Sequence, residues 1–158
     1  MTKNVWRRGV ALAVFVVGAN SGFFLASSAT AAIGGGTSVD RAFTMINQER
    51  VKAGCASLRL VPQLQGPAGR QSGDQAARNR IGHDGANGSK PADRIGGLGY
   101  SRWAENIAQF QSADAAVNFW TTSPAHRASM LNCAFRDTGL AVAPSDSGRL
   151  YWTQDFGA

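Results

Sequence analysis

Gly139-Leu140-Ala141-Val142-Ala143-Pro144-Ser145-Asp146-Ser147-Gly148-Arg149-Leu150-Tyr151-Trp152-Thr153-Gln154-Asp155-Phe156 reads as two strands and the loop between them. Gly139 to Ala143 and Leu150 to Phe156 carry the apolar, β-branched and aromatic residues. Pro144 to Gly148 is the polar, turn-forming stretch that makes an antiparallel hairpin of them. In the last strand Tyr151, Thr153 and Asp155 alternate with Trp152, Gln154 and Phe156, so one face packs and the other is polar or lies under a helix. The segments before the hairpin follow a helical period. Ser123-Pro124 is a cap residue followed by proline at the first helical position, and the short helix it opens carries His126 and ends near Leu131. Ser112 caps another helix, with Ala113, Ala116, Val117 and Trp120 on one face. Before it, Glu105 to Phe110 reads as a strand. Gly82 to Gly99 is loop-like, with room for a helical turn at Ala92 to Ile95. A helix is predicted from about Ala68 to Arg80, since Gly66 and Gly69 weaken its start. The first helix is capped at Thr37 or Ser38, presents Val39, Phe43, Ile46 and Arg50 as a stripe, and stops at Gly54. Helices first and an antiparallel hairpin last argue an α+β fold with helices packed on the sheet.

The N-terminus is an address. Lys3, Arg7 and Arg8 precede an apolar stretch from Val10 to Leu25, and Ala29-Thr30-Ala31 reads as a cleavage signal before Ala32. Residues 1–31 are therefore expected to be a secretory signal peptide, 32–37 a flexible lead-in and 38–158 one domain. The interrupted apolar run falls short of the ~20 residues that a spanning helix needs, so no stable transmembrane anchor is expected. The net charge of +6 drops to about +3 once the three signal-peptide cations leave. The remaining cations are scattered, and Arg70, Arg78 and Arg80 read as a solvated helix face, which excludes a nucleic-acid footprint. Two cysteines survive, Cys55 and Cys133, and in an exported chain an even count reads as a disulfide rather than a reactive thiol.

The chain has two histidines, His83 and His126, and two glutamates, of which Glu105 sits midway between them in sequence. Imidazole and carboxylate are the groups that bind Zn²⁺ or relay protons near neutral pH. Three such ligands with an open water position would make a catalytic zinc site, although the helical spacing of a zincin is absent. A carboxylate in the mostly apolar stretch Trp103 to Phe110 must pair or be protonated. Ser123 is explained by its cap role and is a poor nucleophile candidate. Asn47 and Arg50 read as structural: an amide for a loop backbone, and a guanidinium for a carboxylate or the C-terminal strand. Asp155 is the nearest further acid to complete a cleft.

Several strings occur in the order of one family. They are Asn47-Gln48-Glu49-Arg50 with Gly54 and Leu58, then His83, Gly99-Tyr100 and Ala104-Glu105-Asn106-Ile107-Ala108, then Trp120-Thr121-Thr122-Ser123-Pro124-Ala125-His126-Arg127 and Tyr151-Trp152-Thr153-Gln154-Asp155-Phe156-Gly157. The chain resembles bacterial members of the CAP superfamily, the cysteine-rich secretory, antigen 5 and pathogenesis-related-1 group of SCP-like extracellular proteins. The resemblance implies a three-layer α-β-α sandwich with a mostly antiparallel central sheet. It also implies a cleft of histidines and acids that in many relatives binds a divalent ion, often zinc. Carried over by motif, His83, Glu105 and His126 are the candidate metal ligands, and Glu105 is the candidate catalytic base. Relatives from animals and plants usually add a second glutamate after the tryptophan-bearing helix, where this chain has Thr121, Thr122 and Ser123. The expected function is that of a secreted, monomeric binding module of the extracellular space or cell envelope, taking a lipid-like ligand or an envelope protein. The alternative is a metal-dependent, peptidase-like hydrolase using the same cleft.

Overall fold

The hairpin forms the middle of the sheet. Strand β3 (Asp137–Pro144) and strand β4 (Leu150–Gly157) pair antiparallel, with Leu140 opposite Gln154 and Gly139 opposite Asp155. On its other edge β4 pairs antiparallel with β2 (Trp103–Gln109), which places Glu105 opposite Asp155. Residues 35–158 of this computed structural model are described, so the expected signal peptide lies outside the described residues. The first strand, β1 (Arg59–Leu60), pairs parallel with β3 and completes the order β1-β3-β4-β2. The sheet is therefore mixed, with one parallel pairing beside two antiparallel ones. A strand of two residues has no alternation to read, which is why the sequence pattern does not reveal β1.

Helices cover both faces. Helix α2 (Pro62–Ala77) lies on the face that carries Tyr151, Thr153 and Asp155, and its Ser72 and Gln75 both hydrogen-bond the Thr153 hydroxyl at 3.0 Å. The opposite face holds α1 (Gly35–Lys52), α4 (Ala113–Thr122) and α5 (Pro124–Met130). There Ala42, Ile46, Val117, Trp120, Met130, Leu140, Trp152 and Phe156 form the hydrophobic core. With both faces covered, every residue from Tyr151 to Gly157 is buried, and the alternation separates an aromatic layer from a polar one. This is the expected three-layer α-β-α sandwich.

Two helix starts differ from the sequence reading. Helix α1 begins at Gly35, inside the expected lead-in, so Thr37 and Ser38 are helical rather than caps. Adding residues to an existing helix costs far less than nucleating one, and about 1 kcal/mol per glycine does not stop it. Helix α2 begins at Pro62, six residues before Ala68. Pro62 takes a first-turn position where a missing N–H is harmless. The internal Pro67 and its neighbours are tolerated because Leu64, Pro67 and Ala68 are buried. Contact there is close: a Cβ on Gly139 would come within 2.2 Å of the Leu64 carbonyl oxygen, so only glycine admits the helix. Beyond the short β1, Gln65 replaces the missing strand partner, accepting from Leu140 N and donating to Leu140 O at 2.8 Å each.

Gly54, at φ 81°, ends α1 in the left-handed conformation, as the pattern predicts. The adjacent Cys55 is disulfide-bonded to Cys133, with Cα atoms 4.9 Å apart, and no described cysteine is free. Asn47 clamps the Leu58 backbone through both ends of its amide, at 3.3 and 2.8 Å. Arg50 departs from expectation. Fully buried, it binds no carboxylate and not the C-terminal strand, and instead donates to the carbonyls of Ala56, Met130, Asn132 and Phe135.

Candidate functional site

Strand β2 is the edge of the sheet, and the two helical layers meet beside it. Its central motif reaches both, because successive side chains point to opposite faces. Glu105 points toward the segment that follows α2. Asn106 points the other way and donates to the His126 carbonyl of α5 at 3.0 Å. The Ile107 carbonyl accepts the Trp120 indole N–H at 3.0 Å, which fixes α4 against the same strand.

His83 is held from below. Gln71 of α2 donates to the Gly82 carbonyl at 2.6 Å, and Gln75 accepts from the Gly82 N–H at 3.3 Å. The His83 ring is half exposed, and its Nδ1 lies 2.8 Å from Glu105 Oε1. A carboxylate only accepts, so Nδ1 carries the proton and Nε2 of the neutral ring is left unprotonated. The other carboxylate oxygen, Oε2, accepts from Arg94 Nη2 at 2.7 Å. The same nitrogen also donates to the His83 carbonyl at 2.8 Å, and Nη1 donates to the Ser89 carbonyl at 2.8 Å. Arg94 ends the one-turn helix α3 (Pro91–Arg94), which is closed at its start by Asp93 accepting from Lys90 N at 2.8 Å. The Glu105 side chain is 1 % exposed and that of Arg94 is 8 % exposed, so the pair is shielded from solvent.

Asp155 lies across the strand from Glu105, fully buried, with neither oxygen meeting a protein donor. Burial, and then the neighbouring Glu105 charge, push its carboxyl well above the usual carboxylate range. Glu105, by contrast, has His83 and Arg94 as partners. The acid expected near the cleft is indeed beside Glu105, but beneath it rather than in the cleft.

His126 sits on α5 with its Nδ1 2.8 Å from Ser123 Oγ and its ring 4.9 Å from that of Phe119. Ser123 occupies the cap position, but its hydroxyl serves His126 and makes no bond to the helix backbone, contrary to expectation. Burial, and then the nearby charge of His83, lower the His126 pKa, favouring the neutral ring. His83, His126, Ile81, Gly82, Ile107 and Phe119 line one recess of about 240 Å³. A larger groove of about 490 Å³ along α1, by Phe43, Asn47 and Val51, contains neither histidine nor acid; chemistry, not size, selects the smaller one.

The structure therefore joins His83 to Glu105 by a hydrogen bond and joins His83 to His126 across a shared recess. Among the described residues, no three His, Cys, Asp or Glu side chains are grouped to hold a metal ion. Each Glu105 oxygen has one partner, His83 Nδ1 on Oε1 and Arg94 Nη2 on Oε2, and Glu105 is not among the residues that line the recess. As placed, Glu105 faces His83 and Arg94 rather than the recess that the two histidines line. Thr121 and Thr122, in the place of a second glutamate, return their hydroxyls to carbonyls of their own helix. Arg94 gave no sequence signal, since the single helical turn that carries it is too short to show a period. Asp155 gave one, as an acid inside an otherwise apolar strand.

Known structures share this architecture. An outer surface protein of Borrelia burgdorferi superposes with a TM-score of 0.72 at 20% identity, over 79% of this chain and 95% of that one. An extracellular SCP-domain protein of Bacillus anthracis gives 0.65 at 27% identity over 77% of this chain, which spans only 40% of that longer one. NaASP2, solved with Zn²⁺, gives 0.55 at 14% identity, over 76% of this chain and 78% of that one. No curated protein sequence matches significantly. Among the described residues, no helix is long and apolar enough to cross a membrane. The sequence profile of the CAP, or cysteine-rich secretory protein, family matches residues 43–156, from within α1 to the penultimate residue of β4, and the chain belongs to that family.

Proposed function

We propose that this CAP protein is an exported binding module of the extracellular space or cell envelope, and that its ligand inserts an apolar group between His83 and His126. The observation that carries this reading is the recess itself: Ile81, Ile107 and Phe119 form its walls, with an imidazole on either side. Ile81 and Phe110 are exposed large apolar residues, and Phe110 continues the ring contacts of Phe119 at 5.2 Å. About 240 Å³ lies below the usual size of a drug-like pocket, roughly 300–1,000 Å³. It takes the end of a lipid-like chain or one apolar side chain of an envelope protein, not a whole lipid. The N-terminal address and the Cys55–Cys133 bridge support export.

The test uses the fluorescent apolar anion 1-anilinonaphthalene-8-sulfonate, displaced by dodecanoate. Ile81→Glu adds a charge at an exposed position, so the fold survives. It should weaken probe binding roughly tenfold, the loss of most of one buried aliphatic side chain. Equal binding by wild type and variant would reject the recess as the ligand site.

One observation favours the hydrolase reading: a carboxylate-oriented imidazole with a free Nε2 has the form of a general base. The residues lining the recess include no hydroxyl or thiol nucleophile. Cleavage of generic peptide or ester substrates that drops roughly 10²- to 10⁴-fold in Glu105→Gln would establish that reading.

A further inference from the structure

Arg94 has a role that the binding reading does not use. In a zinc cleft built from two histidines and a glutamate, the metal balances the carboxylate charge and the carboxylate gives the metal a lone pair. Here the charge is balanced from within the chain. Arg94 donates to Glu105 Oε2 at 2.7 Å and His83 Nδ1 faces Oε1 at 2.8 Å, so both oxygens are engaged. Both members of the Arg94–Glu105 pair are nearly solvent-free. The guanidinium is also fixed by the carbonyls of His83 and Ser89, which tie it to the backbone of the very histidine it serves. The planar guanidinium donates to three acceptors at once while carrying its charge, which suits it to such a site.

We propose that Arg94 is a built-in cation: it takes the electrostatic place of a divalent ion on Glu105, and the cleft of this chain is organised without metal. Glu105 is then a positioning residue for His83, holding the Nδ1–H tautomer and leaving Nε2 toward the ligand. His83 and His126 alone offer at most two neutral nitrogens, fewer than the three protein ligands of an ordinary zinc site. A dication entering the cleft would also meet the fixed charge of Arg94. The assignment distinguishes this chain's cleft from the metal-binding form, and its readout is metal retention rather than ligand binding or turnover. Failure of the apolar-probe test therefore leaves it standing, and the reverse also holds.

The experiment measures Zn²⁺ retained after dialysis at neutral pH, and Zn²⁺ affinity by calorimetry, for wild type, Arg94→Lys and Arg94→Met. Wild type should retain far less than one equivalent, and Arg94→Lys should match it because the charge remains. Arg94→Met should bind Zn²⁺ at least about tenfold more tightly, since the fixed positive charge is gone and the Glu105 charge is left for the ion to balance, and Glu105→Gln in the same background should abolish that gain. A wild type that retains one equivalent overturns the proposal, as does an Arg94→Met protein that folds and binds no more tightly. Should Arg94→Met fail to fold, the wild type still decides. With only two histidines in the chain, their ¹H–¹⁵N imidazole signals are readily told apart. His83 should show the Nδ1–H tautomer and be unchanged by chelator treatment; a chelator-induced shift to a different His83 state overturns the assignment.

Discussion

Two buried arginines divide this molecule. Arg50, fully buried where α1 meets the loop before β3, spends its guanidinium on four backbone carbonyls. Arg94, beside the edge strand, spends its own on two carbonyls and a carboxylate. Burial, and then the charge of Arg136, lower the Arg50 pKa, so that end of the molecule carries a charge without an acid to balance it. It is tolerated because carbonyl dipoles converge on it and because Cys55–Cys133 closes the same junction. One arginine is a staple for loops that have no secondary structure to satisfy their carbonyls. The other pairs with the carboxylate of a neighbouring side chain. The same residue type serves architecture at one end and the cleft at the other, and the difference lies in the acceptors.

That contrast is open to attack. The largest effect is expected from Arg50→Met, which strands four acceptors: a loss of about 3–5 kcal/mol in denaturant unfolding, with unchanged His83 and His126 imidazole signals. A collapse of those signals in a folded variant would show that the two ends are coupled. Next, replacing Cys55 and Cys133 by serine opens a bridge between residues 78 apart in sequence. The cost should be about 2–5 kcal/mol under non-reducing conditions, vanishing when wild type is reduced, again without a change in the cleft.

The smallest effect, and of opposite sign, is expected from Asp155→Asn. The folded pKa of Asp155 is raised, so the folded chain keeps this proton to higher pH than the unfolded chain does. Stability from this group is present below the ordinary carboxylate value, near pH 4, and is lost as pH rises toward the folded value. Asparagine removes that loss and keeps the size of the side chain. The variant should match wild type near pH 4 and exceed it by about 1 kcal/mol at pH 7. A variant equally destabilised at every pH would mean that Asp155 is ionised in the native state.

Much of the fold is written in local rules. The hairpin is readable because Leu150 to Phe156 alternates and Pro144 to Gly148 is rich in turn-forming residues. Ser112 and Gly54 mark helix ends through their own short-range chemistry, the Ser112 hydroxyl accepting from Ala115 N at 3.2 Å. Starts at Gly35 and Pro62 are not readable, since packing on the sheet outweighs the cost of glycine and proline there. In the cleft, motif order picks out His83, Glu105 and His126, and the structure brings His83 against Glu105 and both histidines to one recess.

What those three side chains do to one another is decided elsewhere. Whether Glu105 faces a metal or a guanidinium depends on the path of the segment that delivers Arg94. Whether Asp155 shares the cleft or hides beneath it depends on strand register, which pairs it with Glu105. Whether Ser123 caps its helix or orients His126 is a choice between rotamers of one side chain. Residue type and spacing settle which groups are present and where helices and strands recur, because those are short-range matters of sterics and hydrogen bonding. Ionisation, tautomer and ligand capacity belong to the tertiary structure, because they depend on which charges and donors lie within a few ångströms after folding, however far apart they stand along the chain.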